Sequence, residues 1–247
     1  NKPFTFEGVT IYQSDFQDGG TKLNILITDL QSKDKSQAMK AEVFKRNNLI
    51  YMDQSFSFEF DGFRLFNILD IDSSQKKNSK NVGPNFTYKI RNNSGQANEY
   101  QTYQLPMNLD GRYFFVSGMR ATPQEDYKFL KMPADAERGL DGFLIFKNLI
   151  LDSKIIKKAI NQVILSSTSN KDIDVSNLEL STSKLFKTFQ QGGYNEIALG
   201  IDKNIPNQEQ ESAASAYIKI IHLVANQVLL DYKKNNISAA FFELKDL

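Results

Sequence analysis

The stretch QSFSFEFDGFR, residues 54–64, sets Phe56, Phe58 and Phe60 at every second position and follows them with Asp61-Gly62. Successive side chains of a strand point to opposite faces, so the three rings share one face and Ser57 and Glu59 the other. A helix would scatter them. Asp-Gly between two alternating runs is a strong hairpin signal, so a tight turn is expected at Asp61-Gly62. The same period of two recurs from residue 4 to about 133, in Phe4 and Phe6, in Leu23, Ile25 and Ile27, and in Phe86, Tyr88 and Ile90. Turn residues separate the runs at Glu7-Gly8, Asp18-Gly19-Gly20, Asn93-Ser94-Gly95 and Asp110-Gly111. The polar, basic SSQKKNSKNVGPN at 73–85 reads as an exposed loop.

Beyond Pro133 the period changes. Leu140, Phe143, Leu144 and Ile150, then Ile156, Ala159, Ile160, Val163 and Ile164, fit helices with a break at Asp152-Ser153. A short helix is expected from about Thr182 to Gln191, stopped by Gly192-Gly193. Ala214, Tyr217, Ile218, Ile221, Val224, Ala225, Val228 and Tyr232 form one stripe of a final helix. Asn207 with Gln210 resembles a capping box at its start. Strands first and helices second predict an α+β fold: an antiparallel β-sandwich or open barrel over 1–133, then a helical section over 134–247 packed on or extending it.

Composition narrows function. Thirty Lys and Arg stand against 29 Asp and Glu, a net charge of +1 that gives phosphate backbones no field to follow, so nucleic acid is not expected as a partner. With no cysteine, disulfides, thiolate metal sites and cysteine nucleophiles are excluded. No uninterrupted run approaches the ~20 apolar residues of a spanning helix, so a soluble chain is expected. It starts at Asn1 directly with strand-like FTFEGVTIYQ, which reads as a piece of a longer protein with neighbours at both ends.

Candidate chemistry is sparse. His222 is the single histidine, which excludes a two-histidine metal site and argues against most hydrolase triads that use serine. It lies about 100° from the centre of the last helix's apolar stripe and reads as a rim residue, a weak haem-ligand candidate. Met107 and Met119 flank the Asp110-Gly111 turn and could ligate iron, although core filling explains them better. Asp135, Glu137 and Asp141 suit a helix start; a glycosidase would need two such carboxylates across one cleft at ~5 to 9.5 Å. The aromatic run Tyr100, Tyr103, Tyr113, Phe114 and Phe115 could line a groove for an apolar ligand or an extended peptide. Holding other molecules, rather than transforming them, is the expected mode, with an apolar-ligand barrel as the alternative.

Read together, several stretches resemble the extracytoplasmic domain of the ResB family of system II cytochrome c biogenesis. They are NKPFTFEGVTIYQSDFQDGGTKL (1–23), NVGPNFTYKIRNNSGQANEYQTYQLPMNLDGRYFFVSGMR (81–120), FLKMPADAERGLDGFLIF (129–146), GGYNEIA (192–198) and ESAASAYIKI (211–220). GVTIYQS and EYQTYQLPMNLDGRYFFVSGMR are the most specific. The resemblance implies a non-catalytic domain on the periplasmic face of a bacterial membrane, anchored by transmembrane helices outside this sequence. It implies scaffolding and chaperoning while haem is attached to apocytochrome c, beside a CcsA-type membrane partner and a thioredoxin-like thiol reductase. Haem is then handled by the full complex, none being expected in this domain alone, and Tyr100, Tyr103 and Tyr113 become the candidate partner contacts.

Overall fold

The computed structural model describes residues 4–6, 9–11, 19–33, 35–51, 53–70, 79–167 and 174–235. Within them the strands are β1 (Phe4–Phe6), β2 (Val9–Ile11), β3 (Lys22–Thr28), β4 (Ser36–Glu42), β5 (Arg46–Tyr51), β6 (Gln54–Arg64), β7 (Ile68–Asp70), β8 (Ser79–Asn81), β9 (Asn85–Arg91), β10 (Ala97–Tyr103), β11 (Met107–Leu109), β12 (Arg112–Arg120) and β13 (Lys128–Pro133). The helices are α1 (Asp141–Ile150), α2 (Ser153–Ser167), α3 (Val175–Asn204) and α4 (Asn207–Asn235). The expected α+β class is what forms. Two compact units result, Asn1–Leu26 with Ala38–Met132, and Ile27–Gln37 with Pro133–Leu247.

In the first unit a seven-stranded sheet runs β11-β12-β10-β9-β6-β5, with β13 also on β12, and curls into half a barrel. Its described ladders are antiparallel. The period of two in residues 54–64 is borne out: Phe58 and Phe60 are 4% and 2% exposed, and Phe56 lies partly buried on the same face.

The turn at Asp61-Gly62 does not exist. Strand β6 runs straight through it, and the ladder with β9 slips there, from Phe60↔Tyr88 to Gly62↔Thr87 and Phe63↔Phe86. Asp61 is the extra residue of a β-bulge, which brings Phe63 back to the face of Phe60. The real reversal lies nine residues earlier, where Tyr51↔Gln54 closes the β5–β6 hairpin and Asp53 takes φ 59°. At Asp110-Gly111, by contrast, the hairpin forms as expected. Leu109 pairs with Arg112, and φ values of 53° and 87° define the primed turn that matches strand twist. The Asn93-Ser94-Gly95 turn also forms, Asn92 Oδ1 accepting from the Ser94 and Gln96 N–H groups. The turn at Glu7-Gly8, Asp18, and residues 73–78 of the polar loop lie outside the described residues.

In the second unit α2, α3 and α4 surround a core of Ile156, Ile160, Phe186, Ile201, Ile221, Val224 and Val228, with Phe146 and Ile150 from α1. The α1–α2 break falls at Asp152, whose Oδ1 accepts from the N–H groups of Lys154 (2.9 Å) and Ile155 (3.2 Å) and caps α2. Helix α3 starts earlier than Thr182, at Val175, because Asp174 caps it through Asn177 N–H. At Gly192-Gly193 the helical run stops as expected, Gly192 taking φ −153°, ψ 16° and Gly193 φ 63°, ψ −152°, and a second run follows at once, so α3 is two helices joined by a kink. At α4 the Gln210 amide donates to Asn207 Oδ1 and to the Ile205 carbonyl, a side-chain clasp in place of a capping box.

Among the described residues α4 is long and apolar enough to cross a membrane by length and composition, although Lys219, His222, Asn226 and Gln227 interrupt its apolar residues. Its stripe of Ile221, Val224, Ala225, Val228 and Leu229 is buried against the other helices, as in the core helix of a globular unit.

The segment Ile27–Gln37 is fixed to the helices by two lysines. Lys147 on α1 is buried and donates to the carbonyls of Asp29 (3.0 Å) and Ser32 (2.8 Å). Lys33 pairs with Asp152 Oδ2 at 2.6 Å.

Candidate functional site

Cross-strand register sorts the sheet of the first unit into two chemically distinct faces. One carries aromatic rings in contact from strand to strand. Phe58 and Phe60 of β6 lie 5.8 and 5.7 Å from Tyr88 of β9, and Tyr88 stacks on Tyr100 of β10 at 5.1 Å and 10°. Burial raises the pKa of Tyr88, whose hydroxyl lies 3.4 Å from Thr102 Oγ1. Thr102 in turn bonds Ser117 Oγ at 2.7 Å.

The other face carries a row of charges. Register places Arg46 opposite Glu59, Glu59 opposite Lys89, Lys89 opposite Glu99, and Glu99 opposite Arg120, so the sign alternates across five strands. Glu59 binds Arg91 through both oxygens (3.1 and 3.0 Å) and Arg46 at 2.7 Å, and the Arg91 hydrogen bond holds its carboxyl below the usual range. Lys89 reaches Asp61 of the bulge at 2.8 Å. At the far end Glu99 accepts from Arg120 (2.6 Å) and from the Tyr127 hydroxyl, while the Arg120 guanidinium lies 4.6 Å over the Tyr127 ring. Burial pushes the Glu99 carboxyl up, but the Tyr127 and Arg120 hydrogen bonds outweigh it and leave the pKa lowered. Burial, reinforced by Glu99, pushes Tyr127 up to about 12. Single exposed pairs contribute little, so the value of the row lies in specificity: a one-residue slip would turn charges onto the aromatic face. Sequence reading missed this row. Its signal was present in Glu59 between Phe58 and Phe60, and in Lys89 between Tyr88 and Ile90.

The structure separates the three candidate tyrosines. Tyr103 is 6% exposed and packs with Val82, Met107 and Val116 in a small core, which removes it from any partner surface. Tyr100 is partly buried in the ring stack. Tyr113 lines an open cleft of about 610 Å³ with Lys80, Asn81, Gly83, Leu105, Pro106, Met107 and Asn108. Such a shape suits an extended segment better than a small ligand sealed from water. Met107 is buried beside Tyr103, as a core methionine should be.

On the helical unit His222 is exposed, and its Nε2 lies 3.1 Å from the Tyr194 hydroxyl just past the α3 kink. Asp135 binds its own loop: Oδ1 accepts from the N–H groups of Glu137 and Gly139 and Oδ2 from Gly142, so it caps α1 from six residues upstream. Glu137 and Asp141 are exposed. Among the described residues no three His, Asp or Glu side chains converge on a point that could hold a metal ion.

The model of the ResB-like family matches residues 1–219, a span that takes in strands and helices alike. No curated protein and no solved structure matches the chain.

Proposed function

Because the chain belongs to the ResB-like family, we propose that it is the extracytoplasmic domain of a ResB-type component of the system II cytochrome c maturation complex. In this reading it holds apocytochrome c as a scaffold and chaperone while haem is delivered and attached. The observation that carries it is the family match running from the first strand into α4. The family's association with membranes supports a place at the periplasmic surface. A CcsA-type membrane protein brings and ligates the haem, and a thioredoxin-like reductase keeps the apocytochrome thiols reduced. A domain without cysteine takes no part in that exchange.

The surface for apocytochrome is the cleft at Tyr113, which Leu105, Pro106 and Met107 line together with Asn81 and Asn108. An extended CXXCH segment has the matching chemistry: backbone groups for the amides and apolar side chains for the ring. The test is titration of a CXXCH-containing apocytochrome peptide into the chain. Tyr113→Ala should weaken binding by about fivefold or more, as a central aromatic contact does. Tyr100→Ala should matter less. Undiminished binding in Tyr113→Ala removes this cleft from consideration, and no binding at all moves the task to the membrane helices or the CcsA-type partner. Haem itself should bind the chain weakly and no differently in His222→Ala; a six-coordinate spectrum lost in that variant would assign haem ligation to this domain.

A further inference from the structure

Leu65, Phe66, Ile68 and Leu69 stand 55, 70, 72 and 39% exposed in one short stretch between β6 and β8. Scattered exposed apolar side chains need no explanation, but four within five residues form a patch. Asn67, in the middle of them, is buried and held from every direction. Its side-chain amide donates to the carbonyls of Arg64 (3.2 Å) and Gly83 (2.8 Å), and its backbone N–H to Asn81 Oδ1 (3.0 Å). Its carbonyl accepts from Val82 N–H (2.8 Å). The usual order of burial is thus inverted: the polar side chain is inside and fixes the backbone, and the apolar ones are outside.

The surroundings select an occupant. Among the described residues, 68–70 pair with 79–81 in a two-stranded sheet that no third strand joins. A protein interface carries hydrogen-bonding groups among its apolar contacts, whereas here the one polar side chain of the run is turned inward and already bonded. Exposed Arg64 precedes the patch, and exposed Lys80 stands directly opposite Leu69. Exposed apolar side chains flanked by exposed cations fit a bilayer surface, where the former enter the headgroup region and the latter meet lipid phosphates. We infer that residues 65–69 are a membrane-surface anchor of this unit, inserting into bilayers that contain anionic lipid. The anchor adjoins the Tyr113 cleft, which Lys80 also lines, but neither Tyr113 nor haem enters the argument.

The chain has no tryptophan, so Phe66→Trp makes a single reporter within the patch and Ile50→Trp, at an equally exposed strand position, a control. With vesicles of phosphatidylcholine and phosphatidylglycerol, the Phe66→Trp emission should shift to the blue and the Ile50→Trp emission should not. The double variant Phe66→Ser/Ile68→Ser should sediment with these vesicles about tenfold less than the parent, with unaltered thermal unfolding because both side chains are exposed. An unshifted Phe66→Trp spectrum, or equal shifts at both positions, overturns the inference. So does a double variant that keeps full vesicle binding but loses concentration-dependent self-association, which would assign the patch to a second copy of the chain.

Discussion

Replacing Phe60 by alanine tests the packing on which the sheet of the first unit depends. The ring is 2% exposed and lies 6.2 Å from Phe58, 6.4 Å from Phe86 and 5.7 Å from Tyr88, centroid to centroid. Its removal loses the transfer energy of a whole aromatic side chain and leaves a cavity that two strands hold open, since β6 is fixed between β5 and β9. Phe→Ala at such sites costs about 3–5 kcal/mol. That is a large part of the roughly 5–15 kcal/mol by which a domain is stable. Phe66→Ala, at a ring 70% exposed, should cost less than about 0.5 kcal/mol. Urea unfolding followed by far-ultraviolet circular dichroism reads both, and the midpoints should separate clearly at a common slope. Equal midpoints for the two variants would refute the placement of Phe60 in a packed core.

Deleting Asp61 should be tolerated, because a ladder without the bulge still sets Phe63 opposite Phe86. The expected loss is the exposed Lys89 ion pair, about 0–1 kcal/mol, whereas loss of folding would mean that the bulge is required for the curl of the sheet. Hydrogen bonding from Lys33, with the Ile155 N–H, lowers the pKa of Asp152, so its stabilisation is present above the unfolded value near 3.8 and disappears as pH falls through the lower folded value. Asp152→Asn keeps a helix-capping oxygen and should flatten that acid limb in thermal melts, and Asp152→Ala should cost about 1 kcal/mol more; identical acid limbs in parent and Asp152→Asn would count against the Lys33 pair. Tyr127, raised above the unfolded value of 10 to about 12, contributes stability that is complete below pH 10 and is lost as pH rises through 12. Absorbance titration should show late-titrating tyrosines, Tyr88 among them, and one tyrosine's share of that late rise should vanish in Tyr127→Phe; an unchanged curve would contradict its bond to Glu99.

How far the sequence could be read depended on whether the deciding interaction was local. Asp110-Gly111 was legible as a hairpin because two adjacent residues with positive φ suffice to make one. Asp61-Gly62 carries the same residue types, yet strand β9 lies alongside and continues the pairing past them. The interval offered a clue: apolar positions 56, 58 and 60 are followed by 63, a skipped beat that fits a bulge as well as a turn. The helical stripe of α4 was legible for the same local reason, while the kink in α3 depends on where its second half finds a core. Of the tyrosines, alternation could say that Tyr100 and Tyr103 face opposite ways, but not which side was covered. Asn67 gave no signal at all, since its partners Gly83 and Asn81 lie 16 and 14 residues ahead.

The fastening of Ile27–Gln37 to the helices has a consequence for how the protein is made. Lys33 meets Asp152 across 119 residues of chain, and Asp29 meets Lys147 across 118. At ribosomal speeds of about 5–20 residues per second, this segment waits roughly 6–24 s for the lysine and carboxylate that secure it. The strands on either side of it are complete long before. A fragment starting at residue 133 would therefore be born without a part of its own unit, and cutting the gene between strands and helices would yield two incomplete pieces. The natural place to divide this protein for expression is nowhere inside it.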